Sequence, residues 1–176
     1  MTRPTFIAHR RRSLLVAGMV LTCLAAAPAF TQAPDLPNRK EPLAGITTAG
    51  QPSEAQLAAA AAAGYKTVID LRTPSENRGM NEKAAVEGLG MSYVNLPVDG
   101  AGGVSFANAT ALDELLRKAD GPVLLHCASA NRAGALLALR AKLEGADNDA
   151  ALALGVAGGV TGLKSAVEQK LAAGHD

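Results

Sequence analysis

The sequence has very few aromatic residues. Among 176 residues there is no Trp, and there are only two Tyr and three Phe. Proteins that hold single-stranded nucleic acid stack the bases on aromatic side chains, so this scarcity argues against such a platform. The apolar fraction is nevertheless 48%. A core must therefore be built from Leu, Val, Ile and Ala, and the length suits one globular domain.

Cysteine is equally scarce, with only Cys23 and Cys127. Cys23 lies in an N-terminal segment that has the basic, apolar and small-residue regions of a secretory signal peptide, ending in Ala-Pro-Ala at 27–29. We expect residues 1–29 to be this signal peptide, cleaved after Ala29. Cys127 is then the sole thiol of the mature chain, which excludes an internal disulfide in an oxidising compartment.

The export route has two interpretations. The stretch Arg11-Arg12-Ser13-Leu14-Leu15 resembles a twin-arginine export signal, but an ordinary basic region with three arginines explains it equally well. Thr22 is bulkier than the small residue that precedes a lipidated cysteine, and the apolar stretch is short for a retained anchor. We predict a periplasmic or secreted protein with no stable membrane insertion after cleavage.

Basic residues are not in excess once the signal peptide is removed. Four of the 17 basic residues and none of the 16 acidic residues precede residue 30, so the rest of the chain carries a net charge of about −3. This balance argues against a nucleic-acid partner. We expect neither a metal site nor a cofactor.

After a proline-rich linker over 30–43, residues 44–176 alternate between strand and helix patterns. Alternation of this kind predicts one α/β domain, with a mainly parallel sheet flanked by helices on both sides. Ser53 and Gln56 predict a capping box, and Thr73 and Glu76 repeat it, which favours a capping role for Glu76 over a catalytic one. Strands are predicted at 44–48, 65–71, 91–98 and 123–126, and helices from Ser53 and Thr73 and over 81–89, 108–119, 133–143, 147–156 and 162–171.

The sequence HCASANRAG carries the strongest chemical signal. It follows the apolar run Val123–Leu125 and precedes a helix, so it lies at the carboxyl end of a strand, where parallel sheets bind ligands. Backbone N–H groups at such a helix start form an anion cradle, which also stabilises a thiolate at Cys127. The planar guanidinium of Arg132 can bind an oxyanion through two parallel hydrogen bonds. The residues expected to line the ligand site are His126, Ala128, Ser129, Ala130 and Asn131, with His126 ordering the loop through hydrogen bonds rather than acting as a general base.

HCASANR followed by a helix, with GQPS upstream and VIDLR and YVNLPV between, resembles the beta-lactamase-hydrolase-like phosphatase family, a branch of the cysteine-dependent protein tyrosine phosphatase superfamily. The resemblance covers roughly residues 44–171 and implies a protein tyrosine phosphatase-like fold. It also implies a phosphocysteine mechanism in which Cys127 attacks phosphorus, Arg132 and the loop N–H groups stabilise the equatorial oxygens, and an acid protonates the leaving oxygen.

Asp99 is the first candidate for this acid, because it follows a strand and opens a glycine-rich loop. A solvated Asp-Gly turn is the alternative interpretation. Asp70 is the second candidate, although hydrogen bonding at the strand end explains it better. Gln51 either approaches the pocket through the GQPS turn or belongs to a plain turn before a capped helix.

Three departures from the phosphatase pattern keep the chemistry open. Only four residues separate Cys127 from Arg132, where phosphatases have five, and this smaller ring is similar to that of rhodaneses. Ala130 stands where both groups have Gly, which restricts positive φ, and Ala133 replaces a hydroxyl residue.

The candidate functions are thus a cysteine-dependent phosphatase, a rhodanese-like sulfurtransferase that carries a Cys127 persulfide, and a catalytically weak anion-binding module. A buried core cysteine beside an exposed arginine is the alternative that needs no function. The expected substrate is a phosphorylated or sulfur-containing small molecule or peptide.

Overall fold

The computed structural model describes Met1 and residues 33–174, so the predicted signal peptide beyond Met1 lies outside the described residues. Within the described part, no helix is long and apolar enough to cross a membrane. The chain forms five strands and six helices in this part: β1 Lys40–Leu43, β2 Ile46–Ala49, α1 Glu54–Ala62, β3 Thr67–Asp70, α2 Glu82–Gly88, β4 Ser92–Asn95, α3 Phe106–Lys118, β5 Val123–His126, α4 Asn131–Leu143, α5 Asn148–Ala157 and α6 Lys164–Ala173.

The strands form a single sheet in the order β1-β2-β5-β3-β4. The pairs β2–β5, β5–β3 and β3–β4 are parallel, which confirms the predicted mainly parallel α/β fold. β1 pairs antiparallel with β2, because only a short turn at Ala44 and Gly45 joins them. This strand lies inside the range 30–43 that the sequence analysis assigned to a linker, so the sheet begins earlier than predicted.

Helices cover both faces of the sheet, as the strand pattern predicted. Successive residues of a strand point to opposite faces, and the pairs Val68–Leu124 and Ile69–Leu125 lie in register on neighbouring strands. Val68 and Leu124 pack with α1 and α2, whereas Ile69 and Leu125 pack with α3 and α4. The sheet is therefore buried on both sides, and ligands can reach its centre only at the strand ends.

One of the two predicted capping boxes is present. Ser53 accepts a hydrogen bond from the Gln56 N–H, and the Gln56 side chain accepts one from the Ser53 N–H, so α1 begins as predicted. The helix predicted from Thr73 is wrong. Glu76 does accept a bond from the Thr73 N–H (2.8 Å), but the Arg78 guanidinium binds the carbonyls of Thr73 and Glu76 that a helix would need for its own bonds.

α4 is the central helix of the second face, and α5 and α6 pack on its far side. Its contact with α5 depends on Gly134. A Cβ added at Gly134 would lie 2.4 Å from the Gly155 carbonyl oxygen and 2.7 Å from the Val160 nitrogen. Backbone atoms cannot move aside as a flexible side chain can, so this position admits only hydrogen.

We expect Gly134→Ala to lower the free energy of unfolding by about 1–3 kcal/mol, because the added methyl forces α4 and α5 apart. Urea denaturation measures the change. Gly88→Ala is the matched control, since nothing lies within 4 Å of a Cβ at this helical glycine, and it should leave stability unchanged or raise it by up to about 1 kcal/mol. Equal effects of the two substitutions would contradict the close helix contact.

Candidate active site

The loop of residues 127–130 connects β5 to α4 at the carboxyl edge of the sheet. β5 lies between β2 and β3, so the segments that follow these two strands flank the loop. The Cys127 N–H donates to the Ala49 carbonyl (3.3 Å), and the Gln51 N–H donates to the Ala128 carbonyl (3.3 Å). The loop therefore lies where the sequence predicted it, and the GQPS turn packs directly against it.

Backbone N–H groups line the start of α4 without protein partners. No side chain caps this helix. Within the described part of the chain, the N–H groups of residues 128, 129 and 131–133 donate no hydrogen bond to the protein, whereas an antiparallel bridge between Gly50 and Ser129 directs the Ala130 N–H towards the Ala49 carbonyl. Their partial positive charge adds to that of the helix N-terminus, an arrangement that favours a negatively charged group at this position.

Ala130 has the backbone conformation that the sequence analysis considered restricted. Its φ is 68° and its ψ is −11°, in the left-handed region. This conformation costs a residue with a Cβ about 1–2 kcal/mol. The loop therefore adopts the turn that a glycine would favour, and the surrounding structure must supply the energy that holds it.

Arg132 lies in the first turn of α4, and its guanidinium is held on one side. Nη1 donates to Glu76 Oε1 (2.6 Å) and to the Val98 carbonyl (2.9 Å), and Nη2 donates to Glu76 Oε2 (2.7 Å). A guanidinium has five N–H donors. Three are used here, so the Nε–H and one Nη2–H are left as a parallel pair for an oxyanion.

Cys127 lies close to this guanidinium and is almost fully buried, with 1% of its surface exposed. The hydrogen bonds that Arg132 donates to Glu76 are the largest cause that raises the pKa of Arg132, and the neighbouring Cys127 raises it further, against the opposing effect of burial. Arg132 thus stays charged at every accessible pH. The sulfur of Cys127 thus lies beside a permanent cation at the start of α4.

The turn that carries Glu76 is itself anchored by Arg78. The Arg78 Nε donates to Asp70 Oδ2 (2.9 Å), and its other nitrogens bind the Thr73, Glu76 and Arg72 carbonyls. Tyr93 donates to the same Asp70 oxygen (2.9 Å). Asp70 therefore acts at its strand end through hydrogen bonds, which is the role the sequence analysis favoured for it over general acid.

A fully buried charged cluster lies next to this anchor, formed by Asp70, Arg72, Glu82 and His126. Arg72 pairs with both Asp70 and Glu82, and His126 Nε2 lies 2.8 Å from Glu82 Oε1. The positions of Asp70, Glu82 and His126 would suit three metal ligands. However, Arg72 and Arg78 already balance the two carboxylates, so the cluster has no excess of negative charge to attract a cation.

Several of the residues predicted to bind substrate serve the loop in other ways. His126 is completely buried, so it supports the loop from behind and does not line its opening. The Asn131 Oδ1 accepts bonds from the Thr161 and Leu163 N–H groups. The Gln51 Nε2 donates to the Arg78 carbonyl (2.6 Å). Ala128 and Ser129 are exposed, and Ala130 contributes its backbone alone, since its side chain is buried.

Asp99 is exposed in the loop between β4 and α3. It directly follows Val98, whose carbonyl binds Arg132, so its position is beside the guanidinium. Its own carbonyl accepts a bond from the Gly103 N–H (2.8 Å), which makes it part of a turn as well. This position is compatible with both interpretations of Asp99, the acid and the turn residue.

A cavity of about 400 Å³ opens next to the GQPS turn. Its lining combines apolar groups with Glu54 and Arg78. The lining residues are Gln51, Pro52, Ser53, Glu54, Gln56, Arg78, Gly79 and Met80.

Glu76 is the site residue that sequence reasoning missed. Its spacing from Thr73 predicted a cap, and the cap-type bond does form. Nothing in the local sequence showed that the same carboxylate also reaches Arg132, 56 residues later in the chain. The available signal was a buried strand end, Asp-Leu-Arg, followed by a glutamate. This signal was not sufficient, because the pairing of Glu76 with Arg132 depends on the relative positions of β3 and α4.

Known proteins are similar to this chain in sequence. The model of a family described as "Beta-lactamase hydrolase-like protein, phosphatase-like domain" matches residues 43–155. A beta-lactamase hydrolase-like protein of Agrobacterium fabrum is 35% identical over 104 residues, which cover 57% of this chain and 24% of that protein. Two Xylella fastidiosa proteins with the same name are 34% identical over the same length. The chain thus matches about a quarter of the length of these relatives.

Solved structures share the fold at low sequence identity. A Neisseria meningitidis protein described as a candidate phosphatase superimposes with a TM-score of 0.64 at 20% identity, covering 74% of this chain and 96% of that one. The catalytic core of a Saccharomyces cerevisiae PP-IP phosphatase, solved with citrate, gives 0.60 at 16% identity, with coverages of 80% and 87%. TpbA of Pseudomonas aeruginosa, solved with phosphotyrosine, gives 0.54 at 20% identity, with coverages of 76% and 82%. These likenesses confirm the protein tyrosine phosphatase-like fold.

Stability should fall in acid because two carboxylates lose their arginine partners on protonation. Burial alone would raise the pKa of Asp70, but the hydrogen bonds from Arg72 and the charges around the carboxylate together outweigh it and lower the pKa to about 2. The Arg132 hydrogen bonds lower the pKa of Glu76 to about 2. Both groups ionise near pH 4 when unfolded, so their stabilisation is present above about pH 4.5 and is lost as the pH falls towards 2.

We expect the free energy of unfolding, from urea titrations, to fall by at least about 2–3 kcal/mol over this window. Glu76→Gln should make the decrease shallower, because one of the two titrating groups is gone. A variant with the same pH dependence as the wild type would contradict the Glu76–Arg132 pair.

Proposed function

Because the chain belongs to the phosphatase-like domain family of beta-lactamase hydrolase-like proteins, we propose that it hydrolyses phosphomonoesters through Cys127. The observation that carries this proposal is the arrangement around Arg132. Glu76 and Val98 hold the guanidinium on one side, and two N–H groups remain beside Cys127 and the open start of α4. A phosphoryl group fits this set of donors in both charge and shape.

In the proposed mechanism the Cys127 thiolate attacks phosphorus. The S–P bond forms as the P–O bond to the leaving group breaks, and Asp99 donates a proton to the departing oxygen. Water then attacks phosphorus in the phosphocysteine and Asp99 takes a proton from it; the new P–O bond forms as the S–P bond breaks, which releases phosphate and restores the Cys127 thiolate. Throughout, Arg132 and the unpaired N–H groups of the loop and of the first turn of α4 stabilise the charge on the equatorial oxygens.

The four-residue spacing between Cys127 and Arg132 favours a second candidate, sulfur transfer through a Cys127 persulfide. Intact-protein mass spectrometry after incubation with thiosulfate distinguishes the two. A gain of one sulfur atom that cyanide removes supports sulfur transfer. The same measurement on protein from its native compartment tests our further proposal that the chain is exported and cleaved after Ala29.

The charged side chains at the carboxyl edge of the sheet also indicate which charge the leaving group of the substrate carries. In the described loops that follow β2, β3, β4 and β5, each arginine pairs with a carboxylate and there is no lysine. Arg132 pairs with Glu76 in the same way. Glu54, which lines the neighbouring cavity, and Asp99 are exposed and have no ion-pair partner among the described residues. We therefore propose a leaving group that is neutral or cationic, because Arg78 in the cavity lining is already paired with Asp70 and the unpaired charges near the site are the carboxylates of Glu54 and Asp99.

Substitutions should separate the two catalytic roles. Cys127→Ser should lower kcat/KM for phenyl phosphate at least about a thousandfold. Asp99→Asn should lower it about a hundredfold, and less for p-nitrophenyl phosphate, whose leaving group needs no proton. Asp120→Asn, at the opposite edge of the sheet, is the control and should have no effect. Hydrolysis that survives Cys127→Ser would refute the mechanism, and equal losses for both esters would remove Asp99 from the acid role.

Aryl phosphates that differ only in a para substituent test the charge preference. We expect kcat/KM to be roughly fivefold lower for a carboxylate substituent than for an ammonium substituent of similar leaving ability, with the gap closing in high salt. Glu54→Gln should narrow the gap because it removes one carboxylate. A preference for the anionic ester would contradict the proposal.

A further inference from the structure

The connection between α5 and α6, residues 158–163, packs against the loop that holds Cys127. The Asn131 Oδ1 accepts hydrogen bonds from the N–H groups of Thr161 (2.9 Å) and Leu163 (3.3 Å). Thr48 Oγ1, at the end of β2, donates to the Gly158 carbonyl (2.9 Å). The connection is thus bonded both to the first residue of α4 and to the strand beside the loop.

Gly159 makes the closest contact with the loop. A Cβ at Gly159 would lie 2.8 Å from the Ala130 Cβ and 3.3 Å from the Ala130 carbonyl oxygen. Gly159 itself has a φ of 104°, which a side chain would strain. The bare α-carbon therefore provides the space for the Ala130 methyl, which is fully buried.

We propose that Asn131 is a positioning residue, which locks residues 158–163 onto the loop and thereby holds Ala130 in its left-handed conformation. A residue with a Cβ keeps this conformation only where its surroundings enforce it. Asn131 follows Ala130 directly, so rotation of Ala130 towards an ordinary backbone conformation would pull Asn131 away from Thr161 and Leu163. The same rotation would turn the N–H groups that face the anion, so the anchor preserves the cradle.

The Asn131 anchor is needed because residue 130 is alanine. A glycine at 130 would adopt the left-handed conformation without strain, and the loop would then keep its shape without Asn131. Asn131→Ala should consequently be harmful with alanine at 130 and nearly harmless with glycine there. A residue that contributed only to global stability would give no such rescue, because the two effects would add.

Binding of inorganic phosphate, measured by titration calorimetry on the purified protein, tests this dependence. We expect Asn131→Ala to weaken binding about fivefold to thirtyfold, and Ala130→Gly to change it less than about threefold. The double variant should bind within about threefold of Ala130→Gly. Additive losses in the double variant, or an Asn131→Ala variant that binds like the wild type, would overturn the proposal.

A matched control separates positioning from stability. Asn108 also bonds a backbone group near a helix start, through Nδ2 to the Gly103 carbonyl (2.8 Å), but at α3. Asn108→Ala should lower the urea midpoint without changing phosphate affinity; an equal loss of affinity would overturn the role of Asn131.

The inference rests on the proposed function only in taking phosphate as the ligand. Protein that binds phosphate with the predicted rescue but hydrolyses no ester would support the inference and refute the catalytic proposal. Wild-type protein that binds neither phosphate nor sulfate would refute both.

Discussion

The ion pair between Glu76 and Arg132 is the contact on which the site depends. It joins the segment after β3 to the first turn of α4, and Val98 adds the segment after β4 through the same guanidinium. A partly exposed ion pair contributes little to stability as a rule. Its importance here is geometric, because a two-pronged contact fixes the plane of the guanidinium and thereby decides which donors remain for a ligand.

The position of the Glu76–Arg132 pair depends on the turn that carries Glu76, and buried charged side chains hold that turn in place. Arg78 connects it to Asp70, which Arg72 and Tyr93 also bind. Buried ion pairs of this kind cost much in desolvation, so replacing them with apolar groups is often neutral, yet removing one partner typically costs about 3–5 kcal/mol. The cluster is best understood as specifying one arrangement at the strand ends, with little net gain in stability.

Local signals in the sequence predicted the parts of the fold that depend on local physics. The α1 capping box, the four parallel strands and the position of the Cys127 loop at the end of β5 each follow from a few neighbouring residues. Contacts between segments that are distant in the chain could not be predicted from these local signals. The bonds of Glu76 to Arg132 and of Asn131 to residues 161 and 163 depend on how the helices are placed relative to one another. The helix predicted at Thr73 does not form because the Arg78 guanidinium binds the carbonyls of Thr73 and Glu76.

The antiparallel strand β1 has a consequence for the behaviour of the protein in solution. It places Lys40, Glu41 and Pro42 along one outer edge of the sheet. An exposed edge offers unpaired backbone groups to other chains, and charged residues together with proline, which lacks an N–H, are the usual means of blocking such pairing. The short first strand thus shields β2 from edge-to-edge association and keeps the strands that carry the site from becoming a template for aggregation.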